Sequence, residues 1–361
     1  MLQFLPQPDF TLVTPNPTES GYVRAMMEFG REANAAHLAT VKELPAGGRI
    51  TGSFIYAHPP DYVGRPTIDY TAADWRKLFV ELKELGIDTV IYQAAAWVEV
   101  QECYYTPNRY AGYRTWNALD PLVEAVAAEG MVFYLGGLGN MLAFDEQATA
   151  QTLNADRDAQ LACFRELLRY RGGFHGFYMS PETGFPGRRQ PEREKLLNRY
   201  FTEVCQGVKE IMPDLPILMS PGTYYDPAKA QENYEFLYNL FVGCPVDYVA
   251  PQDSIGTFGN RLPDLAASFA IWRRVCDELG ITLWVNVESF ERAKIGTAND
   301  FVPADFRRLR VQLANAQQVG QKIISWEVPY FYSSLAGERG LQLRADYMAY
   351  MASEGRLIHD T

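Results

Sequence analysis

The sequence predicts a (β/α)8 TIM barrel with an N-terminal extension, an α/β fold carried by three observations. Eight short apolar runs rich in β-formers occur in order, an amphipathic helical segment follows each, and 361 residues suit one large barrel with insertions. Near-continuous apolar strands separated by helices indicate parallel strands covered on their helix side, and eight such units close on themselves. A doubly wound open sheet is the alternative, but it normally has fewer units and no reason to stop at eight.

The first strand is read at 50–56 (ITGSFIY). Its helix begins near Ala72, where Thr71 can cap it, and stops at Gly86. The second strand is 88–93 (DTVIYQ), followed by a helix over 119–129 that Gly130 ends. The third is 132–135, with a helix over 157–171, and the fourth is 176–180 (GFYMS), with a helix from Pro191 to Met212 that opens on a residue suited to a first turn. Strands five, six and seven are 217–220, 248–251 and 282–287 (TLWVNV), and their helices run over 228–241, 264–279 and 304–319. Strand eight is 322–326, and a helix over 341–352 closes the barrel domain, which spans 50–361. Residues 1–49 form the extension, with a helix over 21–42 expected to pack against the barrel or cover one end.

Composition narrows the function classes. Hydrophobic residues make 47% of the chain and charged residues 21%, the balance of a folded protein. Net charge is −11 with no basic cluster, so a nucleic-acid or anionic-membrane partner lacks its electrostatic footprint. No stretch reaches the roughly 18 apolar residues of a membrane span, and the N-terminus has no basic signal region. The five cysteines are odd in number, widely spaced and form no CxxC, so they read as buried thiols of a reducing compartment. The expectation is a cytoplasmic protein, or a secreted one whose signal has been removed. Nothing in the sequence sets an oligomeric state. Aromatics, at 13%, mostly fill a large core, and some are expected to line a cleft where rings stack on sugar faces.

In this fold the active site is built at the carboxyl ends of the strands. Polar and aromatic residues gather there: Tyr56 and His58 after strand one, Gln93 and Trp97 after two, Glu182 after four, Gln252 and Asp253 after six, Asn286 and Glu288 at seven, Trp326 and Glu327 at eight. Asn286 and Glu288 are two apart and so leave the strand on the same side. Glycoside hydrolysis needs two carboxyls flanking the bond, and those after strands four and seven face each other across the mouth. Glu182 and Glu288 are therefore the catalytic candidates, and the other nine residues are substrate-binding candidates. For each a structural role competes: an ion pair for Glu327, a turn cap for Asp253, a buried rim ring for Trp326. His37 and His359 lie outside the barrel units, and His175 precedes strand four. With four histidines and no HxH or HExxH, no catalytic metal and no cofactor is expected.

The motifs ITGSFI, LKELGIDTVIYQ with Trp75 ahead of it, VAPQDSIG, LWVNVESFE and SWEVPYF, in that order, resemble domain-of-unknown-function family 4434, regarded as TIM-barrel glycoside hydrolases. The resemblance covers residues 50–352. It implies a sugar-cleaving barrel with Gln93, Glu182, Gln252, Asp253, Glu288 and Trp326 at the pocket. The layout is also similar to clan A retaining glycosidases, whose carboxyl after strand four is the acid/base and whose carboxyl after strand seven is the nucleophile. That clan has Asn just before the acid/base; here Pro181 stands before Glu182. The resulting expectation is a retaining glycosidase acting on a carbohydrate. Its rivals are a carbohydrate-binding barrel without catalysis, and a lyase or isomerase using one rim carboxylate as base.

Overall fold

Eight parallel strands close into a ring in a computed structural model that describes residues 9–10, 21–57, 66–106, 110–293, 301–333 and 336–354. They are β1 Gly52–Ile55, β2 Thr89–Tyr92, β3 Val132–Gly136, β4 Gly176–Tyr178, β5 Ile217–Met219, β6 Tyr248–Val249, β7 in two pieces, Thr282–Leu283 and Val285–Glu288, and β8 Ile323–Trp326. Each pairs in parallel with the next. Closure runs through β7 and β8 and then β8 and β1. The break in β7 falls at Trp284, and the two pieces serve different neighbours, the first pairing with β6 and the second with β8. A parallel bridge between Gln252 and Asn286 resumes the contact with the sixth position beyond the break.

The helices between them are α1 Ala72–Glu84, α2 Leu119–Glu129, α3 Ala150–Leu167, α4 Pro191–Ile211, α5 Ala230–Phe241, α6 Leu265–Leu279, α7 Phe306–Val319 and α8 Gly337–Ser353. The predicted barrel is the one observed. In α1 the buried residues Trp75, Leu78, Phe79 and Leu82 follow the three-four spacing of one helix face. Thr71 and Asp74 close a capping box at its start. Burying each of those side chains contributes roughly 2–3 kcal/mol, and truncating Trp75 to Ala would cost about 3–5 kcal/mol.

Contacts between non-adjacent strands define the interior. Tyr134 of β3 meets Trp284 of β7 at 5.7 Å between ring centroids and Tyr248 of β6 at 6.4 Å, and Phe54 of β1 meets Tyr178 of β4 at 5.2 Å. Strands three and seven, or one and four, touch only across the lumen. The barrel is therefore a filled core, as its small circumference requires.

Several boundaries differ from those read in the sequence. Helix α3 starts seven residues earlier than expected, because Thr149 and Thr152 form a capping box ahead of a polar first turn. A short helix, Val328–Tyr332, follows β8 where none was expected. At the carboxyl rim, the two-residue strands Ala96–Trp97, Glu102–Cys103, Arg114–Thr115 and Leu138–Gly139 make a small sheet, and Phe290–Arg292 pairs with Phe301–Pro303. The N-terminal helix, Gly21–Thr40, packs on the same rim. Its Asn34 donates to Asn260 O at 2.9 Å and accepts from Leu262 N–H at 2.7 Å, and Arg307 of α7 donates to the carbonyls of Leu38 and Val41 near its end. Those contacts satisfy carbonyls that a helix end otherwise leaves open.

Candidate active site

Four residues from the ends of the even-numbered strands meet in one layer across the mouth. Gln93 follows β2 directly, Glu182 stands four residues past the end of β4, Gln252 three past β6, and Trp326 ends β8. Alternate strands of a barrel present their inward residues at the same height, which places these four together. Glu182 Oε1 accepts from Gln93 Nε2 at 3.2 Å and from the Tyr178 hydroxyl at 3.0 Å. Its Oε2 accepts from Gln252 Nε2 at 2.8 Å, and that amide also donates to Ser220 O at 2.9 Å. Trp326 Nε1 donates to Gln93 Oε1 at 3.3 Å, which fixes the orientation of the Gln93 amide.

Glu182, Gln252 and Trp326 keep partial contact with solvent, whereas Gln93 is buried. Glu182 is otherwise surrounded by protein. Loss of hydration pushes its carboxyl up to about 7, against the lowering hydrogen bonds from Gln252 and Tyr178, and the negative charge of Glu288 pushes the same way. Trp326 stands in an aromatic wall with Phe290 at 4.8 Å, Phe301 at 5.7 Å, Phe331 at 5.8 Å and Tyr56 at 5.8 Å. Tyr56 itself is buried behind it.

Glu288 ends β7 and is 1% exposed. Its Oε2 accepts from the N–H groups of Gly256 at 2.6 Å and Thr257 at 2.8 Å, and its Oε1 accepts from the Thr257 hydroxyl. Burial raises its proton affinity, while the Thr257 and Gly256 donors and the nearby Arg308 guanidinium lower it. Position 256 has to be glycine for this arrangement, since a Cβ there would collide with Phe290 O. Asp253 is wholly buried and ties the loop to its neighbours: Oδ1 accepts from Ile255 N–H at 3.2 Å and Glu288 N–H at 3.4 Å, and Oδ2 accepts from Gln312 Nε2 at 2.6 Å. Its carboxyl is pushed up to about 7 by burial and by the charge of Glu288.

The remaining candidates are held in the framework of the rim. Asn286 donates to Ser220 Oγ at 3.0 Å and accepts from Trp326 N–H at 2.8 Å, so its buried amide bridges β5 and β8. Glu327 caps the helix Val328–Tyr332 by accepting from Tyr330 N–H at 2.9 Å. Trp97 is buried in the small rim sheet, with its ring against Gly139, where any side chain would strike it. His58 lies outside the described residues. Among the described residues no group of three or more His, Cys, Asp and Glu side chains is placed to hold a metal ion, and no helix is long and apolar enough to cross a membrane.

Sequence reasoning missed Tyr178, Thr257 and Gly256. Tyr178 carried a signal, as a phenol at the inward position ending β4, four residues before Glu182. The N–H donors of 256 and 257 carried none, since every residue but proline has one.

Similarity to known proteins extends over most of the chain. A crystal structure described as a putative alpha-L-fucosidase from Bacteroides thetaiotaomicron VPI-5482 is 24% identical, with a TM-score of 0.70 over 87% of this chain and 97% of that one. A GH113 beta-1,4-mannanase is 11% identical, with a TM-score of 0.51 over 86% and 100% of the two chains. A beta-galactosidase from the psychrophilic Marinomonas ef1 is 10% identical, with a TM-score of 0.52 over 85% and 59%. These likenesses show the barrel. No curated protein matches the sequence. The model of the family described as "Domain of unknown function (DUF4434)" matches residues 50–335, and the chain belongs to that family.

Proposed function

We propose that the protein hydrolyses glycosidic bonds of an oligosaccharide or glycoside, with Glu182 as general acid/base and Glu288 as the second carboxylate of a retaining mechanism. The observation that carries this reading is Glu182 itself. A carboxyl raised to about 7 at the mouth of a barrel keeps its proton in about half of the molecules at neutral pH and can give it to a leaving oxygen, as a carboxyl of ordinary acidity cannot. Gln93 and Gln252 supply amides suited to sugar hydroxyls, and Trp326 a partly exposed ring suited to a sugar face. The fucosidase, mannanase and galactosidase names of the similar structures point the same way.

In the first step Glu182 protonates the glycosidic oxygen while Glu288 attacks the anomeric carbon. In the second, Glu182 takes a proton from water, and that water displaces Glu288. Both Glu288 oxygens are engaged by Gly256 and Thr257, so attack requires the Thr257 hydroxyl to release Oε1. That coverage is the one observation favouring a second reading, a barrel that binds carbohydrate without cleaving it.

A panel of aryl glycosides and polysaccharides tests the two. Release of reducing sugar from polysaccharides by the wild type, lost in Glu182→Gln, supports hydrolysis, as does phenolate release by the wild type from the aryl glycosides. Saturable sugar binding with no product supports the binding reading. An unsaturated product would replace both with a lyase.

A further inference from the structure

A second concavity, of about 440 Å³, opens between the N-terminal helix and the loops that follow β6 and β7. Neither Glu182 nor its partners Gln93, Tyr178 and Gln252 line it. Five arginines do, against two carboxylates, on a chain whose net charge is −11. Both carboxylates are engaged: Glu291 pairs with Arg339, and Asp305 accepts from Arg307 N–H as the cap of α7.

The arginines are held mainly by main-chain carbonyls. Arg31 donates to Arg292 O, Arg307 to the carbonyls of Leu38 and Val41, and Arg308 to those of Glu288 and Phe290. A carbonyl fixes a guanidinium without neutralising it. The nearby Glu291, Asp253, Glu288 and Asp305 carboxylates offset part of the Arg308 charge, but Arg31 and Arg307 form no ion pair among the described residues. Positive charge thus collects in a hollow walled on one side by Gly256, the residue whose N–H holds Glu288.

We propose that this cavity is a binding site for a small multivalent oxyanion, a phosphate or a polycarboxylate, held by Arg31, Arg307 and Arg308. Guanidinium groups suit this chemistry, because their paired N–H donors match the oxygens of phosphate and carboxylate. The volume lies within the range of small-molecule sites, about 300–1,000 Å³, and leaves room for an organic anion. The site is separate from the proposed glycosidase chemistry and stands whether or not that reading holds.

The test is isothermal titration of the full chain with inorganic phosphate and, separately, with citrate, at an ionic strength held constant with chloride. The expected result is saturable one-site binding of at least one anion. Arg31 and Arg307 are exposed, so Arg31→Ala and Arg307→Gln are expected to fold, and each should weaken that binding about tenfold. Glu182→Gln, altered only at the mouth, should bind as the wild type does. Binding of phosphate would identify a free or esterified phosphate as the ligand, and binding of citrate alone an organic polycarboxylate. The proposal is overturned if neither anion binds above the chloride background, or if both arginine variants bind as tightly as the wild type.

Discussion

Replacing Glu182 by Gln keeps the shape of the side chain and removes its titration, which turns the perturbed carboxyl into a measurable stability term. In the unfolded chain Glu182 titrates near its ordinary 4.5, and in the folded protein near 7. Between those values the native state holds a proton that the unfolded state has released, so raising the pH through this window destabilises the fold. The penalty is absent below 4.5 and complete above about 7. At about 1.4 kcal/mol per pH unit the full displacement would correspond to roughly 3 kcal/mol. Glu182 keeps some contact with water, and solvent screening reduces this to about 1–2 kcal/mol. With an unfolding entropy of roughly 2 cal/mol/K per residue, that is about 1.5–3 °C in melting temperature. The assay is a pair of thermal melts at intervals from pH 4 to 8.5. Glu182→Gln should gain on the wild type as pH rises from 4.5 to 7 and hold the gain above it. The same titration should appear as a fall in kcat/KM above pH 7, where the general acid loses its proton. A melting difference that does not change with pH, or one that favours the wild type at high pH, would refute the reasoning.

The two glutamates should separate by role. Glu288→Ala is expected to lose nearly all turnover on every substrate, whereas Glu182→Ala should fail on natural glycosides yet keep its first step on aryl glycosides whose phenolate leaves unaided, with azide accelerating the second; equal losses on good and poor leaving groups would undo the assignment. Thr257→Val takes one of three donors from the Glu288 carboxylate and should cost about 1–2 kcal/mol in urea unfolding at pH 8, and less at pH 5; an unchanged midpoint at both values would show that the hydroxyl does not hold the carboxylate. Because the proposed steps use only carboxyls and water, EDTA should leave turnover intact, and loss restored by a divalent ion would require another mechanism.

The barrel was legible because its strands are buried on both faces and therefore read as unbroken apolar runs, while Gly86 and Gly130 mark helix ends with positive φ. The two-residue rim strands left no trace, because pairing that short has no periodicity to detect. The start of α3 was misplaced for a related reason: AQTLNAD looks like a loop until Thr149 and Thr152 are seen to cap each other. At the candidate site, the rule that strand ends carry chemistry singles out Gln93, Glu182, Gln252 and Trp326, which the fold brings into one hydrogen-bonded group. It could not tell these from Asn286, Asp253 and Glu327, which occupy equivalent positions. The difference lies in hydrogen bonds to distant main chain, such as Trp326 N–H to Asn286, which sequence spacing does not encode.

The N-terminal helix is made before the barrel that it packs against. Its contacts with Asn260 and Arg307 span 226 and 269 residues of sequence. During synthesis it must therefore wait, undocked, until the sixth and seventh loops have left the ribosome, and closing so long a loop favours its docking onto a barrel that is already formed. The helix then behaves as a latch on the rim that carries Glu288, and a chain shortened to begin after it would be expected to keep its ring of strands while losing the brace on that rim.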